Sequence, residues 1–272
     1  MPIRIDTCVA QHIGDRVEQQ DRITLLPHAR RRGTVMAVLA DGMGGHSGGT
    51  MAAEQVVHTA QQLFSEFATD PGSAQPFLRS VMAEAHVAIK LSRFTSDQDP
   101  HSTAVALVLQ PDRVDWAHCG DSRAYHFRGE SLVARTPDHS LVAEMVRQGR
   151  ISEFQALNHP HRSVLMHCLG ADTDPRVDFG TTSPLTAEDT FLLCSDGLWT
   201  YFSDEELGGV LAAYNPRESA EILIQRARDR AAGQGDNLSL AIIKLSRTPA
   251  QQSAASAPNS VPEARVPAGE PA

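Results

Sequence analysis

The sequence TVMAVLADGMGGHSGGTMAAEQVVHTAQQLF, residues 34–64, joins an apolar run to a glycine-rich loop and then to a long amphipathic segment. The apolar run favours a buried strand, and residues 47–67 favour a helix with one apolar face. Between them, DGMGGHSGG places five glycines in nine residues. Glycine lets the backbone turn sharply and bring a carbonyl oxygen close to a ligand. We therefore expect a ligand-binding loop where this strand ends, at Asp41.

Three further apolar runs have an aspartate at one end. They are VDWAHC before Gly120-Asp121, TFLLC before Ser195 and Asp196-Gly197, and LSLAII after Asp236. A single Asp-Gly pair is a common turn. If the strand ends converge, however, the four carboxylates repel one another, and a bound divalent cation relieves that repulsion. Oxygen ligands suit hard ions, so the pattern predicts a Mg²⁺ or Mn²⁺ centre rather than the Lys-containing phosphate loop of nucleotide-binding proteins.

The order of the elements favours an α+β fold. Strands joined by short turns are typical of antiparallel pairing. Helices are predicted in two pairs, residues 47–67 with 75–94 and residues 203–214 with 215–233, and each pair is expected to cover a sheet face. A hairpin is predicted over residues 22–40, with three arginines at residues 30–32 near its tip. These arginines are either a solvated loop or a docking patch for acidic partners.

The composition excludes several classes of protein. The 272 residues are 41% hydrophobic, enough for a sizeable core. The net charge of −9, from 24 basic and 33 acidic residues, argues against binding nucleic acid or anionic lipid. We expect a cytoplasmic protein, because the sequence lacks both a membrane-spanning apolar run and a signal peptide. The four scattered cysteines predict reduced thiols rather than disulfides.

The last part of the chain differs from the rest. From Arg247 onward it has no aromatic residue, no Leu and no Ile, and it is rich in Pro, Ala and Ser. Such a segment buries too little apolar surface to offset its ordering entropy. The sequence therefore predicts a folded domain over residues 1–246 and a disordered tail over residues 247–272.

Eight short motifs occur in a fixed order along this domain. They are R-x-x-x-Q-D (Arg16, Gln20, Asp21), DGMGG (41–45), STAV (102–105), GDSR (120–123), DHSLV (138–142), HPHRSVLMHCLG (159–170), SDGL (195–198) and DN (236–237). In this order and spacing, the chain resembles the bacterial form of the metal-dependent Ser/Thr protein phosphatases of the 2C type, from about residue 3 to 245. The resemblance implies a four-layer αββα sandwich, in which two mainly antiparallel sheets are flanked by helix pairs.

The resemblance also implies a set of metal ligands at one edge of that sandwich. Asp41 would bridge two metals, Gly42 would offer its carbonyl, and Asp196 and Asp236 would complete the first metal's direct ligands. Asp21 would serve the second metal through water. Asp121 would hold a third, weaker metal together with Asp196. The implied cofactors are therefore two, and in some members three, Mn²⁺ or Mg²⁺ ions.

The implied reaction is hydrolysis of phosphoserine and phosphothreonine in proteins by a metal-activated water. Arg16 resembles the arginine that grips the substrate phosphate, where a guanidinium makes two-point contact. The expected partners are phosphoprotein substrates and a bacterial Ser/Thr kinase whose action the enzyme reverses, and a monomer is expected. The alternatives are a non-catalytic sensor of metal or phosphoprotein and a hydrolase of small phosphoesters.

Some residues depart from the family pattern. Met43 stands where many eukaryotic relatives have a histidine proposed as general acid, and methionine cannot donate a proton. Gln19, His101, Ser163 and His167 are also unusual. None of these changes removes an implied metal ligand. The segment of about residues 138–178 resembles the family's flap, and both substrate selection and a purely structural lid are open interpretations.

Overall fold

The computed structural model describes residues 3–68, 72–94 and 98–247, apart from the side chain of His46. Within these residues, strands and helices follow one another in an α+β order. The strands are β1 Ile3–His12, β2 Asp21–Pro27, β3 Val35–Met43, β4 His101–Ser102, β5 Ala104–Leu109, β6 Val114–Cys119, β7 Arg123–Arg128, β8 Ser131–Arg135, β9 Asp178–Thr182, β10 Asp189–Cys194 and β11 Leu238–Arg247. The helices are α1 His46–Ser65, α2 Ala74–Ser92, α3 Leu141–Arg147, α4 Glu153–Leu157, α5 Asp196–Trp199, α6 Asp204–Ala213 and α7 Pro216–Ala231.

The strands form two antiparallel sheets. One sheet has the strand order β1-β11-β10-β7-β8, and the other has the order β2-β3-β5-β6-β9 with β4 beside β3. Their inner faces pack through a cluster that includes Leu39, Leu107, Phe191 and Ile243, each at most 1% exposed. Because a side chain of this size gains about 1.5–3 kcal/mol on burial, this cluster holds the two sheets together.

Helix pairs cover the two outer faces. Helices α1 and α2 pack on the sheet of β3 and β5, where Leu78, Met82 and Ile89 are buried. Helices α6 and α7 pack on the other sheet with Leu207 and Leu223. The four-layer αββα sandwich implied by the resemblance is therefore the fold of this chain.

The ends of the outer helices are set by local side chains. Ser203 caps α6 and Asn215 caps α7, each in a reciprocal capping box with a glutamate at the third helical position. A cap of this kind stabilises a helix by about 1 kcal/mol. Ser140 caps the short helix α3 by accepting from the Ala143 N–H, and Ser152 caps α4 in a capping box with Gln155. The caps of α6 and α7 explain why the predicted starts of these two helices agree with the structure.

The sequence analysis did not identify every strand. The apolar runs correspond to β3, β5, β6, β10 and β11, and the predicted hairpin adds β2. The strands not predicted are β1, β4, β7, β8 and β9. The last strand also ends at Arg247, a residue that we had assigned to the tail. Residues 248–272, the rest of the predicted tail, lie outside the described residues. No helix in the described part of the chain is long and apolar enough to cross a lipid bilayer.

Candidate metal centre

The predicted metal ligands come from strand ends at one edge of the sandwich. Asp21 and Asp41 face each other as register partners in β2 and β3. Asp196 and Asp236 belong to the other sheet. Asp196 begins α5 just after β10, and Asp236 lies just before β11, which pairs with β10. Asp121 lies in the turn between β6 and β7. The hairpin and the two sheets thus gather five carboxylates that are far apart in sequence.

These residues surround an open cleft of about 660 Å³. The predicted site residues that line it are Arg16, Asp41, Gly42, Asp121, Asp196 and Asp236. Asp21 is completely buried, and its carboxyl is close enough to Asp41 and Asp196 for the charges to interact. The structure therefore brings all seven predicted site residues together.

The electrostatics of the cleft call for a cation. Burial, and then the neighbouring carboxylates, raise the pKa of Asp21 to about 7. Burial and the charge of Asp236 likewise raise the pKa of Asp196 to about 6. The pKa values of Asp41 and Asp121 are raised well above the usual range for the same two reasons. Ionising these groups together is costly without a compensating positive charge.

The Asp21 carboxylate gives a direct test of whether the residues fit a metal. Its Oδ2 accepts a hydrogen bond from the Ser195 hydroxyl at 2.7 Å. Its Oδ1 is buried and has no hydrogen-bond partner. An unsatisfied buried carboxylate oxygen is expensive, and a cation or its bound water would satisfy it. The all-oxygen donor set and this orphaned atom fit a hard divalent ion.

The STAV motif holds the backbone of Asp41 in place. The backbone N–H of Asp41 donates to the Thr103 hydroxyl at 3.0 Å, and its carbonyl accepts from the Thr103 N–H at 2.9 Å. The Ser102 hydroxyl donates to the same carbonyl at 3.1 Å. This bonding fixes the position of the carboxylate that points into the cleft.

Two glycines allow the end of β3 to meet the start of α1. A Cβ atom at Gly42 would lie 1.9 Å from the carbonyl oxygen of Gly49, and one at Gly49 would lie 2.7 Å from the carbonyl oxygen of Gly42. No side chain fits at either contact. The dense glycines of this loop therefore serve a close backbone approach beside the predicted Gly42 carbonyl ligand.

Asn237 fastens the loop that carries Arg16. Its Oδ1 accepts from the Gln20 N–H at 2.7 Å, and its Nδ2 donates to the carbonyls of Ile13 at 2.8 Å and Glu18 at 3.0 Å. Asn237 is buried, so removing its amide would leave these backbone groups without partners. From the sequence alone, Asn237 is recognisable only as part of the DN motif.

Arg16 lies at the mouth of the cleft. Its guanidinium Nη2 donates to Asp236 Oδ2 at 2.6 Å, and the Arg16 side chain is 60% exposed. The negative charges of Asp196 and Asp41 also act on it. Arg16 thus combines proximity to the carboxylates with access to solvent.

The turn that holds Asp121 is fastened to the flap. The indole N–H of Trp199 donates to the Asp121 carbonyl at 2.9 Å. The Arg123 guanidinium stacks on Trp199 at 3.4 Å and makes two 2.7 Å hydrogen bonds to Asp138, the first flap residue. These contacts link the first flap residue to the backbone of Asp121.

The flap also contributes directly to the cleft. Ser163 and Leu165 line it. The positive charge of Arg162 lowers the pKa of Asp196, although burial and Asp236 outweigh it. Arg162 is a candidate functional residue that sequence reasoning missed. The only signal was its place in the HPHR stretch of the flap. Met43 lines the same cleft and offers no proton there.

The shifted carboxyl groups predict how the metal-free protein responds to pH. A folded-state pKa of about 7 for Asp21 lies above the unfolded value of about 3.9. The folded state then binds more protons between these values, so stability falls as pH rises through this window. With chelator present, raising the pH from 5 to 8 should destabilise the wild type relative to Asp21→Asn by a few kcal/mol, on the order expected for such a shift.

Comparing the wild type with Asp21→Asn removes the competing effect of the buried histidines on stability. Burial lowers the pKa of His86, His118 and His139, so those residues favour the folded state as pH rises, equally in both proteins. Denaturant unfolding at each pH would measure the difference. A constant difference in unfolding free energy across this pH range would contradict the assignment of a raised pKa to Asp21.

The sequence and the fold both match known phosphatases. A family model described as Protein phosphatase 2C matches residues 9–223. The serine/threonine phosphatase stp of Listeria monocytogenes is 32% identical over 219 residues, which is 78% of this chain and 85% of the relative. The phosphatase PhpP of Streptococcus pneumoniae is 29% identical over 254 residues, which is 92% of this chain and all of the relative.

Solved structures agree with these relatives. The serine/threonine phosphatase of S. agalactiae aligns with a TM-score of 0.79 at 27% identity, over 89% of this chain and 99% of that one. The catalytic domain of the phosphatase PstP, in complex with two manganese ions, aligns with a TM-score of 0.74 at 26% identity, over 90% of this chain and all of the other. The family model covers most of the folded domain, and this chain belongs to the protein phosphatase 2C family.

Proposed function

We propose that the chain is a metal-dependent protein serine/threonine phosphatase whose cations are held by Asp21, Asp41, the Gly42 carbonyl, Asp196 and Asp236. Relatives that align over most of the chain are named serine/threonine phosphatases. The observation that carries the proposal is the buried group of carboxylates facing an open cleft, with Arg16 at its mouth. Such a centre suits a substrate that brings a phosphate dianion to a cation.

Divalent-metal dependence belongs to this family, and we propose Mn²⁺ or Mg²⁺ as the ions. The donors are oxygens, which these hard cations prefer. Two ions would occupy the main ligand set, and Asp121 with Asp196 would hold a third. When bound, these ions supply an activated water and neutralise the charge that develops on the phosphoryl oxygens.

The chain's own residues bind and orient the substrate. Arg16 is exposed at the mouth of the cleft, and its guanidinium matches two oxygens of a phosphate ester. The four cysteines, all within the described residues, lie outside the lining of the cleft. Burial raises the pKa of each thiol. They therefore supply no thiolate nucleophile for a covalent mechanism.

Phosphate release from a phosphothreonine peptide tests the proposal. We expect release with Mn²⁺ or Mg²⁺ and none with excess chelator. A non-catalytic sensor would bind metal and peptide without releasing phosphate, and that result would contradict the proposal. Faster hydrolysis of small phosphoesters than of phosphopeptides would instead favour a metabolite hydrolase.

We also propose that the enzyme acts as a monomer and opposes a Ser/Thr kinase in its own cell.

Arg16→Ala should weaken substrate binding and leave metal binding intact. The Arg16 guanidinium donates to Asp236 but is not itself a metal ligand. Its loss therefore removes a positive charge that competes with the cation for Asp236. We expect KM for a phosphopeptide to rise about 10- to 100-fold, the value of one to two charge-assisted hydrogen bonds. Calorimetric metal titration should give an affinity that is unchanged or tighter.

Arg4→Ala is the matched control for this variant. Arg4 is similarly exposed and also pairs with an aspartate, Asp6, but lies on the edge strand β1. Its variant should keep the wild-type KM. An unchanged KM with weakened metal affinity in Arg16→Ala would contradict the assignment of Arg16 to substrate phosphate.

A further inference from the structure

A second group of metal-ligating side chains lies at the base of the flap. His118 is the second-last residue of β6, His139 is the second residue of the flap, and Asp178 is the first residue of β9, at the end of the flap. His118 and Asp178 are register partners in neighbouring strands. One ring nitrogen from each histidine and a carboxylate oxygen of Asp178 all lie within 4.8 Å of one another. We propose that these three residues form a binding site for a Zn²⁺-class cation, separate from the carboxylate centre.

The His118 ring has the hydrogen bonding of a metal ligand. Its Nε2 lies 2.8 Å from the Pro137 carbonyl, to which it donates, so Nδ1 carries the lone pair. That Nδ1 is buried without a hydrogen-bond partner, in a residue only 1% exposed. Metal-binding histidines typically donate their other ring N–H to a carbonyl or carboxylate, which fixes the tautomer. A cation would satisfy the orphaned nitrogen of His118.

The His139 ring lies against His118 and is held by two weak hydrogen bonds. The two rings stack with centroids 4.6 Å apart. His139 makes two long contacts, 3.3 Å from Nε2 to Asp178 Oδ2 and 3.3 Å from Nδ1 to the Gly120 N–H. Hydrogen bonds of this length are weak. Because Nδ1 accepts from Gly120, Nε2 now carries the ring proton. A cation bound at Nε2 would displace that proton to Nδ1 and would therefore replace both contacts.

The Asp178 carboxylate has capacity for a cation in addition to Arg176, its closest partner. It accepts hydrogen bonds of 2.9 and 2.7 Å from Arg176, whose side chain is 57% exposed. An ionised carboxylate has about four lone-pair positions, so Arg176 can orient the group from outside while an inner oxygen binds the ion. Ligating carboxylates are commonly held by such outer partners.

The donor set selects the kind of ion. Two imidazoles and one carboxylate suit Zn²⁺, at about 2.0–2.2 Å per bond with a water as fourth ligand, whereas Mg²⁺ prefers oxygen. Two atoms bound to one such ion are at most about 4.4 Å apart. His139 Nε2 and Asp178 Oδ2, 3.3 Å apart, are already within that limit. The ion would join β6 to both ends of the flap and act as a clasp at its base.

Zinc binding to the full chain in excess Mg²⁺ tests this site. Crystals soaked in Zn²⁺ and measured at the zinc edge should show an anomalous peak between His118, His139 and Asp178. Equilibrium dialysis should find one more zinc ion per chain in the wild type than in His118→Gln or in Asp178→Asn. Asp178 is partly exposed, so its variant provides the measurement if His118→Gln fails to fold. Zinc should also slow proteolysis within the flap of the wild type but not of Asp178→Asn.

His86→Gln is the matched control. His86 is also buried, with an Nε2 that has no hydrogen-bond partner, but it lies on α2, outside the three-residue group. It should keep the additional zinc ion. A wild-type crystal loaded with zinc at the carboxylate centre and without a peak at the flap base would overturn the proposal. Equal zinc stoichiometry in all four proteins would do the same.

Discussion

Asp41→Asn should lose metal-dependent phosphatase activity while keeping its fold. Asp41 is the carboxylate on which the charges of Asp21, Asp196, Asp121 and Asp236 all act. An amide has nearly the same shape but no charge to hold a cation. Loss of the ions that activate water and stabilise the phosphoryl oxygens should cost about 10³-fold or more in turnover. Asp196→Asn should have a similar effect, since Asp196 interacts with Asp236 and Asp121.

Asp115→Asn is the control for a buried aspartate outside the centre. Asp115 is completely buried in β6, where Arg113 binds both of its oxygens at 2.7 Å. Its variant should lose stability but keep turnover per folded molecule. Metal affinity measured by calorimetry should fall only in Asp41→Asn and Asp196→Asn. Near-normal turnover by either of these two variants would refute the metal centre as we place it.

Five inner strands and the aspartates at their ends could be predicted from the sequence for related reasons. Strands buried on both faces read as continuous apolar runs, as in AVALVL of β5. A polar residue that ends such a run is conspicuous, and this is how Asp41, Asp121 and Asp196 were found. Strands that mix apolar with polar residues lack that signal, as in the edge strands β1 and β8 and the inner strand β7. The alternating exposure of β1 is an example.

The residues that support the site could not be identified in this way. Asn237 bonds Ile13 across 224 positions of sequence, and Ser195 bonds Asp21 across 174. Such bonds depend on which strands become neighbours, which no local pattern encodes. The orphaned Asp21 oxygen and the effect of Arg162 on Asp196 are equally products of the tertiary structure.

The flap illustrates how the structure narrows an open interpretation. Sequence reasoning left substrate selection and a structural lid as alternatives for residues 138–178. The structure places Ser163 and Leu165 in the lining of the cleft and the charge of Arg162 beside Asp196. It also ties Asp138 to Arg123, two residues from Asp121. We therefore propose that the flap contacts the substrate and couples its position to the Asp121 turn.

Asp121→Asn should separate metal retention from turnover. Asp121 lines the cleft and interacts with Asp196, yet Asp41, Asp196 and Asp236 remain to hold the main pair of ions. We expect calorimetry to show two-ion binding with wild-type affinity. Turnover should nevertheless fall about 10- to 100-fold, at the lower end of what assisting a proton transfer contributes. This assistance matters because Met43 cannot protonate the leaving group.

The competing explanation is that Asp121 only shapes the turn into β7. Under that explanation, Asp121→Asn would have a lower melting temperature but wild-type turnover per folded molecule. Asp189→Asn changes a completely buried carboxylate in β10, outside the cleft. It shows how a purely structural change affects the melting temperature and the turnover per folded molecule. Anomalous scattering from Mn²⁺-soaked crystals adds a direct readout. A third peak beside Asp121 in the wild type, lost in the variant together with turnover, would assign the residue to a cation. Full turnover in the variant with no third peak in the wild type would leave Asp121 as a turn residue, because the carboxylate would then serve neither ion nor substrate.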